Sequence, residues 1–135
     1  KGWSDDYDWR IFWHRGLVHL TRGAVDGAEG EFAATYEALP GEVAPKLALG
    51  YCAEYLAERL REPGVREPDL REPGLREARP VEAEADDAQA AARAGARSAQ
   101  AEEFYEAVLR RDPTQGSAAF GLARVRLRRA GRRRA

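Results

Sequence analysis

Residues 16–50 read GLVHLTRGAVDGAEGEFAATYEALPGEVAPKLALG, and this stretch decides the fold. Its skeleton is Gly16, Ala28, Phe32, Pro40 and the pair Leu49–Gly50. Ala28 and Phe32 are four residues apart, Phe32 and Pro40 eight, Pro40 and Leu49 nine. Ala101, Tyr105, Pro113 and the pair Leu122–Ala123 repeat those intervals. Small residues at Gly16 and Ala28 let two helix backbones approach closely, and Phe32 fills the space beside them. Pro40 and Gly41 stop the second helix, because proline disfavours a helical residue before it and has no amide to donate. The stretch is one helical hairpin running into the first helix of another.

Outward from it, Trp9, Phe12, Trp13, Gly16, Leu17 and Leu20 recur at spacings of three and four. That periodicity predicts a helix from Tyr7 to Arg22, ended by Gly23. The polar lead-in 1–8 offers Ser4, Asp5 and Asp6 as caps. A second helix is expected over 24–39, with Ala24, Ala28, Phe32, Thr35, Tyr36 and Leu39 inward. A third, over 44–60, tolerates Pro45 in its first turn.

Residues 61–80 then form a degenerate five-residue repeat of arginine, glutamate and proline. Prolines at that spacing forbid a continuous helix, and the high charge leaves little to bury. Residues 81–98 are alanine-rich without a large apolar stripe, so 61–98 is expected as a disordered low-complexity insertion, helical at most in part. Order resumes with a helix over 99–111 (Ala101, Phe104, Tyr105, Val108, Leu109). A last helix follows over 117–130 (Phe120, Leu122, Ala123, Val125, Leu127), with 131–135 as a basic tail.

An alanine–aromatic–proline skeleton of this kind is the second half of the tetratricopeptide signature, whose period is about 34 residues. Pro40 and Pro113 lie 73 positions apart, so 39 residues are in excess of one period, nearly the length of 62–98. The expected fold is all-α: tetratricopeptide-like hairpins, with repeat 1 and the first helix of repeat 2 in 9–60. The second helix of repeat 2 and the first of repeat 3 fall in 99–130.

Composition agrees with a single domain whose core is built from 9–60 and 103–127. The formal net charge of -1 hides seven arginines among the last twelve residues, which leaves 15 basic against 23 acidic residues elsewhere. A single cysteine, Cys52, excludes an internal disulfide and reads as a small core residue. No apolar run is long enough to span a bilayer, and nothing at the start resembles a signal peptide. A cytoplasmic location is therefore expected, and the absence of any methionine, an initiator included, points to a fragment of a longer chain.

No catalytic machinery can be assembled. His14-Arg15-Gly16 places glycine where a kinase catalytic loop carries its aspartate, and no glycine-rich loop, V-A-I-K or D-F-G motif is present. His14 and His19 are five apart, which does not set them squarely on one helical face as a zinc pair requires. No metal site, cofactor or enzymatic activity is expected of this chain. The arginine cluster raises a rival reading, a free-standing helical protein associated with nucleic acid. The cluster lacks interleaved aromatics for base stacking, and some of its arginines form the solvated face of a helix.

Several runs together resemble the C-terminal tetratricopeptide region of actinobacterial kinases of the protein kinase G type. They are Asp8-Trp9-Arg10, Trp13, Gly16-Leu17, the run 39–49, Phe104-Tyr105 and the run 117–124. The resemblance implies a multidomain serine/threonine kinase as parent, with the repeats serving dimerisation, regulation or substrate recruitment. Protein partners are implied: the parent's kinase domain, a second subunit, or a substrate or regulator, with no membrane. Stacked hairpins make a concave groove lined by the first helix of each, here 10–21, 45–56 and 118–127. Arg10, Lys46, Glu54 and Arg124 are its candidate peptide contacts. Trp3, Tyr7 and Trp9 are the candidate docking surface.

Overall fold

The computed structural model describes residues 8–62 and 81–134. Five helices follow one another: α1 (Trp9–Thr21), α2 (Val25–Ala38), α3 (Val43–Arg61), α4 (Val81–Arg111) and α5 (Gly116–Arg134). Each packs on the next, the α3–α4 pairing is the most extensive, and α3 also touches α5. There is no strand among the described residues, and no described helix is long and apolar enough to cross a membrane.

α1 starts at Asp8, whose carboxylate accepts the Arg10 amide at 3.0 Å. The cap is therefore Asp8; the other candidates, Ser4, Asp5 and Asp6, lie outside the described residues, as do Trp3 and Tyr7. Gly23 closes the helix in the left-handed region, φ 76°, where a side chain would be strained.

In α2, Val25, Ala28, Phe32 and Thr35 are buried. Ala24, expected inside, is exposed one residue ahead of the helix. The Thr35 hydroxyl donates to the Glu31 carbonyl at 2.9 Å and so is satisfied within its own helix. Phe32 is fully buried against Gly16, where an added Cβ would lie 2.4 Å from Phe32 Cε1. Trp13 tilts onto the same ring at a centroid distance of 5.2 Å. Gly16→Ala is thus expected to destabilise the chain by about 1–3 kcal/mol through overpacking. Urea unfolding checks it, and Phe32→Leu in the same background should return part of the loss. An unchanged midpoint in Gly16→Ala would mean the hairpin does not close on this contact.

α3 buries Leu49, Cys52, Ala53, Leu56 and Ala57 along one face. Cys52 is fully buried and free, its thiol pushed up to about 11, first by burial and then by Glu29.

α4 departs most from expectation. It begins at Val81 instead of near Ala99, so 81–98, assigned to the disordered insertion, is continuous helix; 63–80 lies outside the described residues. Small and polar groups, not a large apolar stripe, hold this half in place. Ala94 and Ser98 are buried, and Arg61 Nη1 donates to Ser98 Oγ at 3.0 Å. Arg97 is ion-paired with Glu29 of α2 and donates to Gln100 Oε1 at 3.1 Å. Alanine supplies the intrinsic helix propensity.

α5 likewise runs past the expected end at Ala130, so 131–134 is helix, not a separate tail. Its inward residues are Ala118, Gly121, Leu122 and Val125. Phe120, Ala123 and Leu127, expected to join them, are on the surface. Their angular position explains this: they occupy the side of the helix turned away from α4, and no described element covers it.

Two buried clusters result. One gathers Val25, Ala28, Phe32, Leu49, Cys52 and Leu56, and the other gathers Ala53, Ala101, Tyr105, Val108, Ala118, Leu122 and Val125.

Candidate protein-binding groove

The groove is organised from beneath by Tyr105. Its ring, 1% exposed, lies between α3 and α5, where each helix presents a glycine. A Cβ on Gly50 would come within 2.9 Å of the ring and one on Gly121 within 2.6 Å. The phenol thereby reaches through the core and donates to Glu54 Oε1 at 2.7 Å.

Glu54 is buried on α3, and arginines from α5 saturate it. Arg124 grips it with two hydrogen bonds, Nε to Oε2 at 2.9 Å and Nη2 to Oε1 at 3.0 Å; Arg128 Nη1 reaches Oε2 at 2.7 Å. Burial alone would raise the Glu54 carboxyl, but the hydrogen bonds from Arg124, Tyr105 and Arg128 prevail and hold it below its ordinary value. Tyr105 is pushed well above the usual phenol range, by burial first and then by the Glu54 carboxylate. On the other flank of α5, Arg126 meets Glu102 at 3.1 Å and Glu106 at 2.7 Å, and Arg129 meets Glu102 at 2.9 Å. Four arginines of the basic cluster therefore pin α5 to α3 and α4, which is a structural use of the charge that suggested nucleic acid.

Above this network lies a cleft of about 610 Å³. Trp13 and Leu20 of α1, Ala44, Leu47, Ala48 and Tyr51 of α3, and Phe120 and Arg124 of α5 line it. A second cleft of about 280 Å³ adjoins it, sharing Tyr51 and Arg124 and adding Tyr55, Glu58 and Arg128. Tyr51, Tyr55 and Phe120 are 56%, 47% and 71% exposed, so the groove offers three aromatic rings to a partner. Its charged groups, two glutamates and two arginines, face one another, with Arg128 Nε also 3.8 Å from Glu58.

The sequence-selected residues fall in different places. Glu54 and Arg124 meet each other, and Arg124 also borders the groove. Lys46 lies elsewhere, over the Tyr36 ring at 5.8 Å, in a cleft it shares with Phe104 and Arg110. Arg10 is exposed beside Asp8 and stacks over Trp9 at 5.7 Å, with Trp9 itself 37% exposed. Tyr51, Tyr55, Phe120 and Arg128 were not selected. A signal for two of them existed: Ala44, Ala48, Tyr51 and Tyr55 share a face of α3 separate from Leu49, Cys52 and Leu56. A helix apolar on two faces has a second surface to cover. Among the described residues no group of three or more His, Cys, Asp or Glu could hold a metal ion.

The family described as Protein kinase G tetratricopeptide repeat matches residues 3–135. The serine/threonine-protein kinase PknG of Mycobacterium leprae (strain TN) is 40% identical over 50 residues, 37% of this chain and 7% of that protein. The chain thus matches only a small part of that curated relative's length. Among solved structures, none matches significantly. With its skeleton of glycine, alanine, aromatic and proline folded as stacked hairpins, the chain belongs to the protein kinase G tetratricopeptide repeat family.

Proposed function

We propose that this chain is a non-catalytic regulatory or dimerisation module of a protein kinase G-type serine/threonine kinase, acting in the cytoplasm. It binds protein through the groove between α1, α3 and α5. The observation that carries the reading is the trio of exposed rings, Tyr51, Tyr55 and Phe120, set along adjoining clefts whose charges are already paired. Aromatic anchors entering or flanking a concave apolar surface dominate binding energy at protein interfaces. With its polar groups engaged internally, the groove favours an apolar or aromatic segment over a charged one. The parent's kinase domain, a second subunit and a substrate or regulator are the candidate occupants.

The test is light scattering of the chain over a range of concentrations, alone and with the parent's kinase domain. A dimer or a complex is expected. The double variant Tyr51→Ala/Phe120→Ala should weaken it at least tenfold without shifting the thermal midpoint, since both rings are exposed. A monomer indifferent to the kinase domain would remove the regulatory and dimerisation roles.

A further inference from the structure

We propose that a separate cleft, between α2, α3 and α4, is a binding site for an organic monocarboxylate with an apolar body. The cleft has a volume of about 660 Å³ and shares no lining residue with the groove. Such a volume is typical of small-molecule sites, which are mostly apolar with a few placed polar groups. Here Leu56 and Leu60 of α3 and Ala96 of α4 supply the apolar wall.

The polar groups are asymmetric in sign. Arg59, Arg93, Arg97 and Asp26 face the cleft, a net charge of two positives in a chain whose formal total is -1. Arg97 is engaged by Glu29 and Gln100. The side chains of Arg59 and Arg93 make no hydrogen bond or ion pair with any described residue. The arginines elsewhere on α5 that face a cleft are, by contrast, matched to carboxylates. Two guanidiniums left unmatched beside a leucine wall fit one anionic head joined to one hydrocarbon body. Guanidinium geometry suits a carboxylate through paired N–H donors. With Arg97 neutralised by Glu29 and Asp26 offsetting one of the other two arginines, a single positive charge is left over, which a carboxylate balances and a phosphate monoester, largely dianionic at neutral pH, exceeds.

The probe is octanoate, titrated calorimetrically into the full chain below its micellar concentration. One saturable site is expected, with octanol (body without charge) and acetate (charge without body) each at least tenfold weaker. Arg59→Gln/Arg93→Gln should weaken octanoate at least tenfold while leaving the circular dichroism melt unchanged, because neither side chain is paired with a described residue. Arg110→Gln, outside this cleft, should change nothing. Octanol binding as tightly as octanoate, or equal octanoate affinity in the double variant, would overturn the proposal. Tighter binding of octyl phosphate would overturn the carboxylate assignment. A self-associating chain that dissociates in the double variant and ignores octanoate would assign the cleft to a second copy instead.

Discussion

Tyr105→Ala is expected to lower the stability of the chain by about 3–5 kcal/mol, the range for emptying an aromatic site in a packed core. The ring is wedged between Gly50 and Gly121, and both helices approach it closely because they carry no Cβ there. Neither helix can collapse into the vacated space without losing contacts to Val108 and Leu122 in the same cluster. Tyr105→Phe keeps the ring and removes only the 2.7 Å hydrogen bond to Glu54. A hydrogen bond to a charged group contributes about 1.5–3 kcal/mol, and the lower end applies because Arg124 and Arg128 still hold the carboxylate. Urea unfolding of the three proteins separates packing from hydrogen bonding. Equal losses in Tyr105→Phe and Tyr105→Ala would refute the view that ring volume dominates.

The repeat skeleton was legible because it is a rule about close approach. Gly16 and Phe32 were paired by spacing and meet in space; Gly50 and Tyr105 obey the same register across the α3–α4 connection. Helix ends were legible to within about two residues wherever a proline, a left-handed glycine or an aspartate cap marks them. The first half of α4 was not. Its contacts are alanine, serine and arginine contacts, and a search for large apolar residues passes over them. Alanine can pack into a narrow interhelical space and form helix readily, so a poor apolar stripe did not mean an absent helix.

The site was half legible, for a related reason. Glu54 and Arg124 were singled out as polar groups on groove-lining helices, and the structure brings them within 2.9 Å of each other. Sequence cannot show that a carboxylate on α3 and a guanidinium 70 positions later satisfy one another. Once they do, the large side chains left uncovered along the groove are Tyr51, Tyr55 and Phe120. Phe120 was assigned to the core on hydrophobicity. Its neighbour Gly121 takes the face against Tyr105 instead, because the ring leaves room there only for a residue without a Cβ.

Glu54→Ala should be the second most damaging substitution, at about 2–3 kcal/mol. Breaking a fully buried pair costs about 3–5 kcal/mol, but Arg124 and Arg128 are 43% and 40% exposed and can turn to water. Tyr105 cannot, and its hydroxyl would be left buried without its acceptor. Glu54→Gln should be milder, since the amide oxygen still accepts from Tyr105, and it removes the titration. Because folding lowers the Glu54 carboxyl from its ordinary value of 4.5, the folded state resists protonation more than the unfolded chain does. The stabilisation is therefore complete well above pH 4.5 and disappears as the pH falls through the lowered folded value. Thermal midpoints of wild type and Glu54→Gln, compared from pH 7 downward, should differ most at neutral pH and converge in acid. A gap that stays constant or widens on acidification would show that Glu54 is not held as a carboxylate by the α5 arginines.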